Sequence, residues 1–172
     1  MVQKTVNIAQ AIGVPGEFYD DSPRRVAPYV LRSARTASGS TLEGGALSSV
    51  LPTVARVFTA GSADNEAIIG GEGAFRGILV GPKQYANYLN FTATMTLPDG
   101  TIGQLATMGH VLVAVANAVS PDDAAVYNNV TGEISGIEAS GSAPEGSTKI
   151  PNSKFILRSA AAGETAVLEL TN

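Results

Sequence analysis

Short runs of apolar residues recur along this chain, separated by stretches rich in glycine, proline, serine, asparagine and aspartate. The clearest is Asn90 to Leu97: Phe91, Ala93, Met95 and Leu97 fall on one face, and Thr92, Thr94 and Thr96 on the other. That two-residue period marks a half-buried strand. Pro98-Asp99-Gly100 reads as a turn, because proline presets φ and glycine accepts positive φ. Thr101 to Thr107 is then expected to return as the hairpin partner. Further strands are predicted over Tyr29 to Arg32, Val50 to Thr59, Ala67 to Ile69 and Phe75 to Val80. Ala124 to Tyr127 and Glu133 to Ile137 form a hairpin around Asn128 to Gly132, and Lys154 to Ser159 and Ala166 to Leu170 are terminal strands. His110 to Val119 is the most apolar segment. Its valines and short length favour strand over helix. Ser33 to Ser49 and Ala139 to Thr148 read as loops, and Lys83 to Leu89 as a loop or one helical turn. Many short strands between turns predict an all-β fold, a jelly-roll-like sandwich or a barrel, with few or no helices.

The opening segment breaks this pattern. Residues 1–32 have no sustained helical period and hold Pro15, Pro23 and Pro28, with Asp20-Asp21 followed by Arg24-Arg25. Proline removes a donor and pushes the preceding residue toward extended geometry. An extended arm over 1–32 is therefore expected, with a single β body over 33–172. Phe18 and Tyr19 lie in the arm, where a lone subunit has trouble burying them unless they fold back over its own barrel. Aromatic anchors are enriched at interface hot spots. Phe18, Tyr19, Asp20, Asp21, Arg24 and Arg25 are thus the candidate self-association or partner-binding residues. The charged four set register rather than affinity, because exposed pairs contribute only about 0–1 kcal/mol.

Composition narrows the function classes. The chain has 172 residues, enough for one domain with a proper core, and only 15% are charged. That low charge suits a surface hidden in contacts or, equally, a glycine-rich β domain with long loops. The net charge is −4 and basic residues are scattered, with Arg24-Arg25 the only adjacent pair. Nucleic-acid binders carry a basic stripe, so no nucleic acid is expected. There is no cysteine, which excludes a disulfide framework and a thiol nucleophile. No leader with a basic region and apolar core is apparent, and no apolar run approaches the roughly 20 residues of a membrane span.

Catalytic constellations are sparse. His110 is the single histidine, no G-x-S-x-G elbow surrounds a serine, and a structural or interface role is expected for it. No enzyme activity, cofactor or metal is expected. The stretch from Gly70 to Gly77 invites a phosphate-loop reading, but Arg76 stands where the dinucleotide fingerprint needs glycine. A turn or bulge is the better reading. Asp20-Asp21 and Asp122-Asp123 are candidate calcium ligands, yet neither pair sits in an EF-hand loop. Two glycosylation sequons, at Asn90 and Asn129, are taken as chance without a leader.

Several anchors together resemble the structural cement, or capsid decoration, proteins of tailed bacteriophages. They are Thr5-Val6-Asn7-Ile8 with Gln10, Gly16-Glu17-Phe18, Ser22-Pro23-Arg24, Gly77 to Ala86, Leu105 to Gly109, Ile150 to Lys154 and Leu168 to Asn172. Their order and combination, spread over nearly the whole chain, carry the resemblance. It implies a structural virion protein with a β-barrel or jelly-roll body, made in the bacterial host cytoplasm and carried on the outer surface of the capsid. Its implied partners are the major capsid protein and further copies of itself at symmetry axes, as a homodimer or homotrimer. By this reading it clamps adjacent subunits and stabilises the expanded shell against internal pressure. The rival reading is a carbohydrate-binding or host-adhesion β module, for which Tyr85 and Tyr88 are the nearest thing to an aromatic platform.

Overall fold

The computed structural model describes residues 13–35, 49–81, 96–159 and 161–171. Among them are twelve strands and no helix. The expected turn over Lys83 to Leu89, nearly all of the strand Asn90 to Leu97, and most of the loop Ser33 to Ser49 lie outside the described residues.

Five strands close into a barrel. They are β1 (Arg25–Arg32), β4 (Val57–Ala60), β5 (Glu66–Ile69), β6 (Phe75–Val80) and β7 (Ile102–Ala114), in the order β1-β5-β4-β6-β7 and back to β1. A ring of five cannot be antiparallel at every joint. The parallel joint is β1 to β5, with Val30, Leu31 and Arg32 opposite Glu66, Ala67 and Ile68. The Arg32 guanidinium locks that joint, donating from Nε and Nη2 to Glu66 Oε1 at 2.9 and 2.6 Å. β2 (Ala34–Arg35) and β3 (Ser49–Val50) form a small ribbon beside the barrel. Alternate residues point inward, so Leu31, Phe58, Ala67, Ile69, Leu79, Leu97 and Leu105 make one core. Gly103 takes an inward position because a Cβ there would stand 2.5 Å from Leu31 Cδ1.

The second half of β7 leaves the barrel. From Gly109 to Ala114 it pairs with β12 (Thr165–Leu170), which pairs in turn with β11 (Ser153–Phe155). A three-stranded sheet of β8 (Ala124–Asn128), β9 (Ile134–Ile137) and β10 (Ser147–Lys149) contributes to the same second core. That core holds Val111, Val113, Tyr127, Ile134, Phe155, Ala166 and Leu168 together with Val57, Ile78 and Ala106 from the barrel wall. One continuous strand therefore serves two cores.

Several local expectations change on contact with tertiary structure. Thr101 to Thr107 and the start of His110 to Val119 are not two strands but one, and Gly109, at φ 118, carries the chain between its halves. Among the described residues, Thr101 to Thr107 has partners other than the expected hairpin strand. Its neighbours are β1 and β6, while Thr96 bridges Thr53 and the Leu97 amide donates to the Pro52 carbonyl. Val50 to Thr59 is broken, because Ala55 adopts φ 61. β10 begins within the expected loop Ala139 to Thr148 and runs to Lys149. The last eight residues of the expected arm, Arg25 to Arg32, are β1 itself. Pro28 still reports something real. The Val30 amide donates to Asn65 on the β5 side and the Leu31 amide to Thr101 on the other. By alternation, the missing amide of Pro28 falls on the β5 side, where β5 pairing begins only at Val30.

The glycine-rich stretch is the seam between the two cores. Gly70 and Gly132 sit at φ 65 and 66, and their amides donate to Val57 and Asn128. The Gly71 amide donates to Asn129 at 2.6 Å, and the Tyr127 hydroxyl to the Gly71 carbonyl at 3.0 Å. Buried Thr59 donates its hydroxyl to the Gly70 carbonyl at 2.6 Å. A Cβ on Gly132 would lie 2.7 Å from the Val57 oxygen, and one on Gly70 2.6 Å from the Asn129 oxygen. Backbone meets backbone here with no room for a side chain. Gly146 has a similar φ of 72 but nothing within 4 Å of its Cβ position. Gly146→Ala is therefore expected to cost only the backbone strain, about 1 kcal/mol. Gly132→Ala adds a clash with main chain and is expected to cost about 2–4 kcal/mol in a urea melt. Equal costs for the two would contradict this account of the seam.

Candidate functional site

The arm residues that precede β1 lie along the outgoing half of β7. The Gly16 amide donates to the Leu112 carbonyl at 2.7 Å, the Leu112 amide to the Glu17 carbonyl at 2.8 Å, and the Tyr19 amide to the His110 carbonyl at 2.9 Å. Phe18 and Val111 form an antiparallel bridge. Residues 13–24 thus act as a clasp, a strand-like segment added to β7. Its start is fixed by the turn Val14-Pro15-Gly16-Glu17, with Gly16 at φ 90, and the Gly81 amide also donates to the Gly16 carbonyl.

The alternation of the clasp sorts the candidate residues. Phe18 points inward and packs, half-buried, on the second core. The Arg24 guanidinium stands 5.1 Å from the centre of its ring, a cation–π contact. Tyr19 points the other way and is 44% exposed. Asp20 does not pair with Arg24 or Arg25, as its place in the sequence suggests. Its Oδ2 lies 2.7 Å from His110 Nδ1, and its Oδ1 accepts the Ser22 amide at 3.1 Å. Asp21 and Arg25 are exposed. The structure therefore brings Phe18 to Arg24 and Asp20 to His110, and leaves Tyr19, Asp21 and Arg25 facing solvent. His110 takes a structural part: it ties the clasp to β7. The acidic pair Asp122-Asp123 is turn chemistry, with the Ser120 amide donating to Asp123.

Two residues of this region escape a reading by motif. Leu112 and Val167 oppose each other across β7 and β12 on the face turned away from the second core, yet they are only 2% and 0% exposed. Gly13 lies directly on Leu112: a Cβ there would stand 2.5 Å from Leu112 Cδ1. The signal was the unbroken apolar run Val111 to Val115, since a strand apolar on both faces is covered on both. Beside the clasp, a hollow of about 440 Å³ opens between Phe18 and Arg24 on one side and Val26, Val80 and Gln104 on the other.

The Asp20 bonds carry a pH signature. Hydrogen bonds from Ser22 and then from His110 hold its carboxyl down at about 2. A depressed carboxylate contributes above its ordinary value and loses that contribution as pH falls toward the folded value. Amide-exchange protection at Tyr19 is expected to hold down to about pH 4 and to fall between about pH 4 and pH 2. Asp20→Asn is expected to lower that protection already at neutral pH and to abolish the acid step. Identical profiles for variant and wild type would show that Asp20 does not hold the clasp.

A family model described as structural cement protein (E217 gp24/Pam3 gp6) matches residues 2–171. No curated protein matches. Among solved structures, a chain of the work titled "The capsid of Myoviridae Phage XM1" superposes with a TM-score of 0.63 at 14% identity. The match covers 99% of this chain and 98% of that one. At that identity the likeness establishes the fold, and the family match, which runs almost end to end, establishes the kinship. The chain belongs to the structural cement protein family of bacteriophages.

Proposed function

We propose that this protein binds the outside of the expanded phage head and bridges neighbouring major capsid protein subunits, holding the shell against the outward pressure of its packed genome. The observation that carries this reading is the family match over residues 2–171. The mechanism is thermodynamic. A protein that binds the expanded lattice and not its dissociated subunits stabilises the lattice by mass action, by about 2.7 kcal/mol per site at a free concentration one hundred times Kd. Copies linked as a homo-oligomer over a symmetry axis add their weak contacts through effective concentration.

In this reading the arm residues play different parts. Phe18 packs on its own second core and so maintains the fold. Tyr19, Asp21 and Arg25 are exposed and are the arm's proposed contacts with a neighbour. Of these, Tyr19 is the one large hydrophobic side chain and carries the affinity, because exposed charges are screened and individually weak.

Co-sedimentation with expanded heads tests the reading. The wild-type protein is expected to pellet with them, and failure to bind heads at any stage of maturation would sink it. Tyr19→Ala is expected to weaken head binding by about tenfold or more, since a hot-spot aromatic contributes roughly 2 kcal/mol, while leaving Tm unchanged. Phe18→Ala is expected to do the opposite, lowering stability by about 2 kcal/mol with binding that follows the folded fraction. Undiminished binding by Tyr19→Ala would remove that residue from the interface.

A further inference from the structure

We infer that the clasp is exchangeable: free in solution it closes on its own β7, and on the assembled head it closes on the β7 of a neighbouring copy of this chain. This rests on the proposed function and adds to it the way copies are linked. The bonds that hold the clasp are indifferent to which copy supplies it. Gly16, Glu17 and Tyr19 bond to the main chain of Leu112 and His110, Phe18 faces Val111, and Asp20 meets His110, so all of these contacts transfer intact to an identical subunit. Exchange of an identical element is a low-cost route between protomers.

The connection has the slack that exchange needs. Tyr19 bonds to His110, and Arg25 lies opposite Met108, two positions further along β7. That gap is about 7 Å, the rise of two strand residues. Asp20 to Arg24 bridge it, and the six steps from Tyr19 to Arg25 span up to about 20 Å when extended. Four of these five residues are exposed, and Pro23 disfavours a compact helical arrangement. The hollow of about 440 Å³ leaves one flank of the clasp unpacked.

Concentration decides which copy wins. A short tether gives an effective concentration on the order of 1 mM, so at about 1 μM free protein the closed form is favoured roughly a thousandfold. Neighbours fixed on a lattice supply a comparable local concentration, and the advantage of the closed form disappears.

The protein has no cysteine, which makes a disulfide test clean. Tyr19 and His110 stand opposite each other, at the pair spacing of about 5.5 Å that a disulfide tolerates. Two single variants, Tyr19→Cys and His110→Cys, are mixed one to one, bound to expanded heads at about a thousand times the wild-type Kd, which offsets the roughly tenfold loss expected on replacing Tyr19, and oxidised. Neither alone can join position 19 to position 110. A 19-to-110 linked dimer, identified by peptide mass, is expected on heads and at least tenfold less of it in the same mixture free at about 1 μM. The Tyr19→Cys/His110→Cys double variant is expected to cross-link within one chain when free. If the mixture binds heads and yields no such dimer, exchange is overturned while the cement reading stands. If neither the variants nor the wild-type protein binds heads, both fall, and the empty pellet tells the two failures apart.

Discussion

The whole molecule is hung on β7. Its first half closes the barrel between β1 and β6, and its second half founds the second sheet with β12. The clasp exchanges hydrogen bonds with the same second half. A strand of thirteen residues is long for a globular protein, and it serves two cores because Gly109 at φ 118 lets it change course. Ala106 on its first half belongs to the second core while neighbouring Leu105 belongs to the barrel core, so the two cores share one wall. A load on either part is transmitted through continuous backbone rather than through a loop.

The glycines of the seam set the second constraint. Gly70, Gly71 and Gly132 let the barrel and the three-stranded sheet touch main chain to main chain, and the Arg56–Glu133 ion pair at 2.8 Å flanks the contact. Burial holds the Arg56 guanidinium below its ordinary value, yet its carboxylate partner keeps it ion-paired. Rigid joining of this kind suits a structural protein, whose usefulness depends on not yielding.

How much of this was legible follows from which signals are local. The short apolar runs bounded by turn residues gave β6 and the β8–β9 hairpin nearly residue for residue, because Gly81-Pro82, Pro121 and Asn128 to Gly132 mark their ends locally. The barrel's closure was not legible, since it depends on the pairing of Val30 with Glu66, far apart along the chain and unmarked in either. Gly109 looked like a strand end because glycine usually punctuates, and only the two-sided partners of β7 show that it is a bend. The arm was legible as extended chain, but its fate was not. Phe18 and Tyr19 read alike as aromatics, and the clasp's alternation sends one inward and the other out. Asp20 found His110 rather than Arg24 because β7 brings the histidine beside it, a proximity that sequence distance hides. The family resemblance rested on anchors scattered over the whole chain, and the match over residues 2–171 has the same extent.

A cryo-EM map of expanded heads saturated with this protein tests most directly the claim that one rigid unit built on β7 bridges the shell. Density on the outer surface should accept barrel and second sheet in a single rigid fit, in contact with two neighbouring shell subunits. Density that touches one subunit only, or that fits the barrel and the second sheet only when they are moved apart, would contradict it.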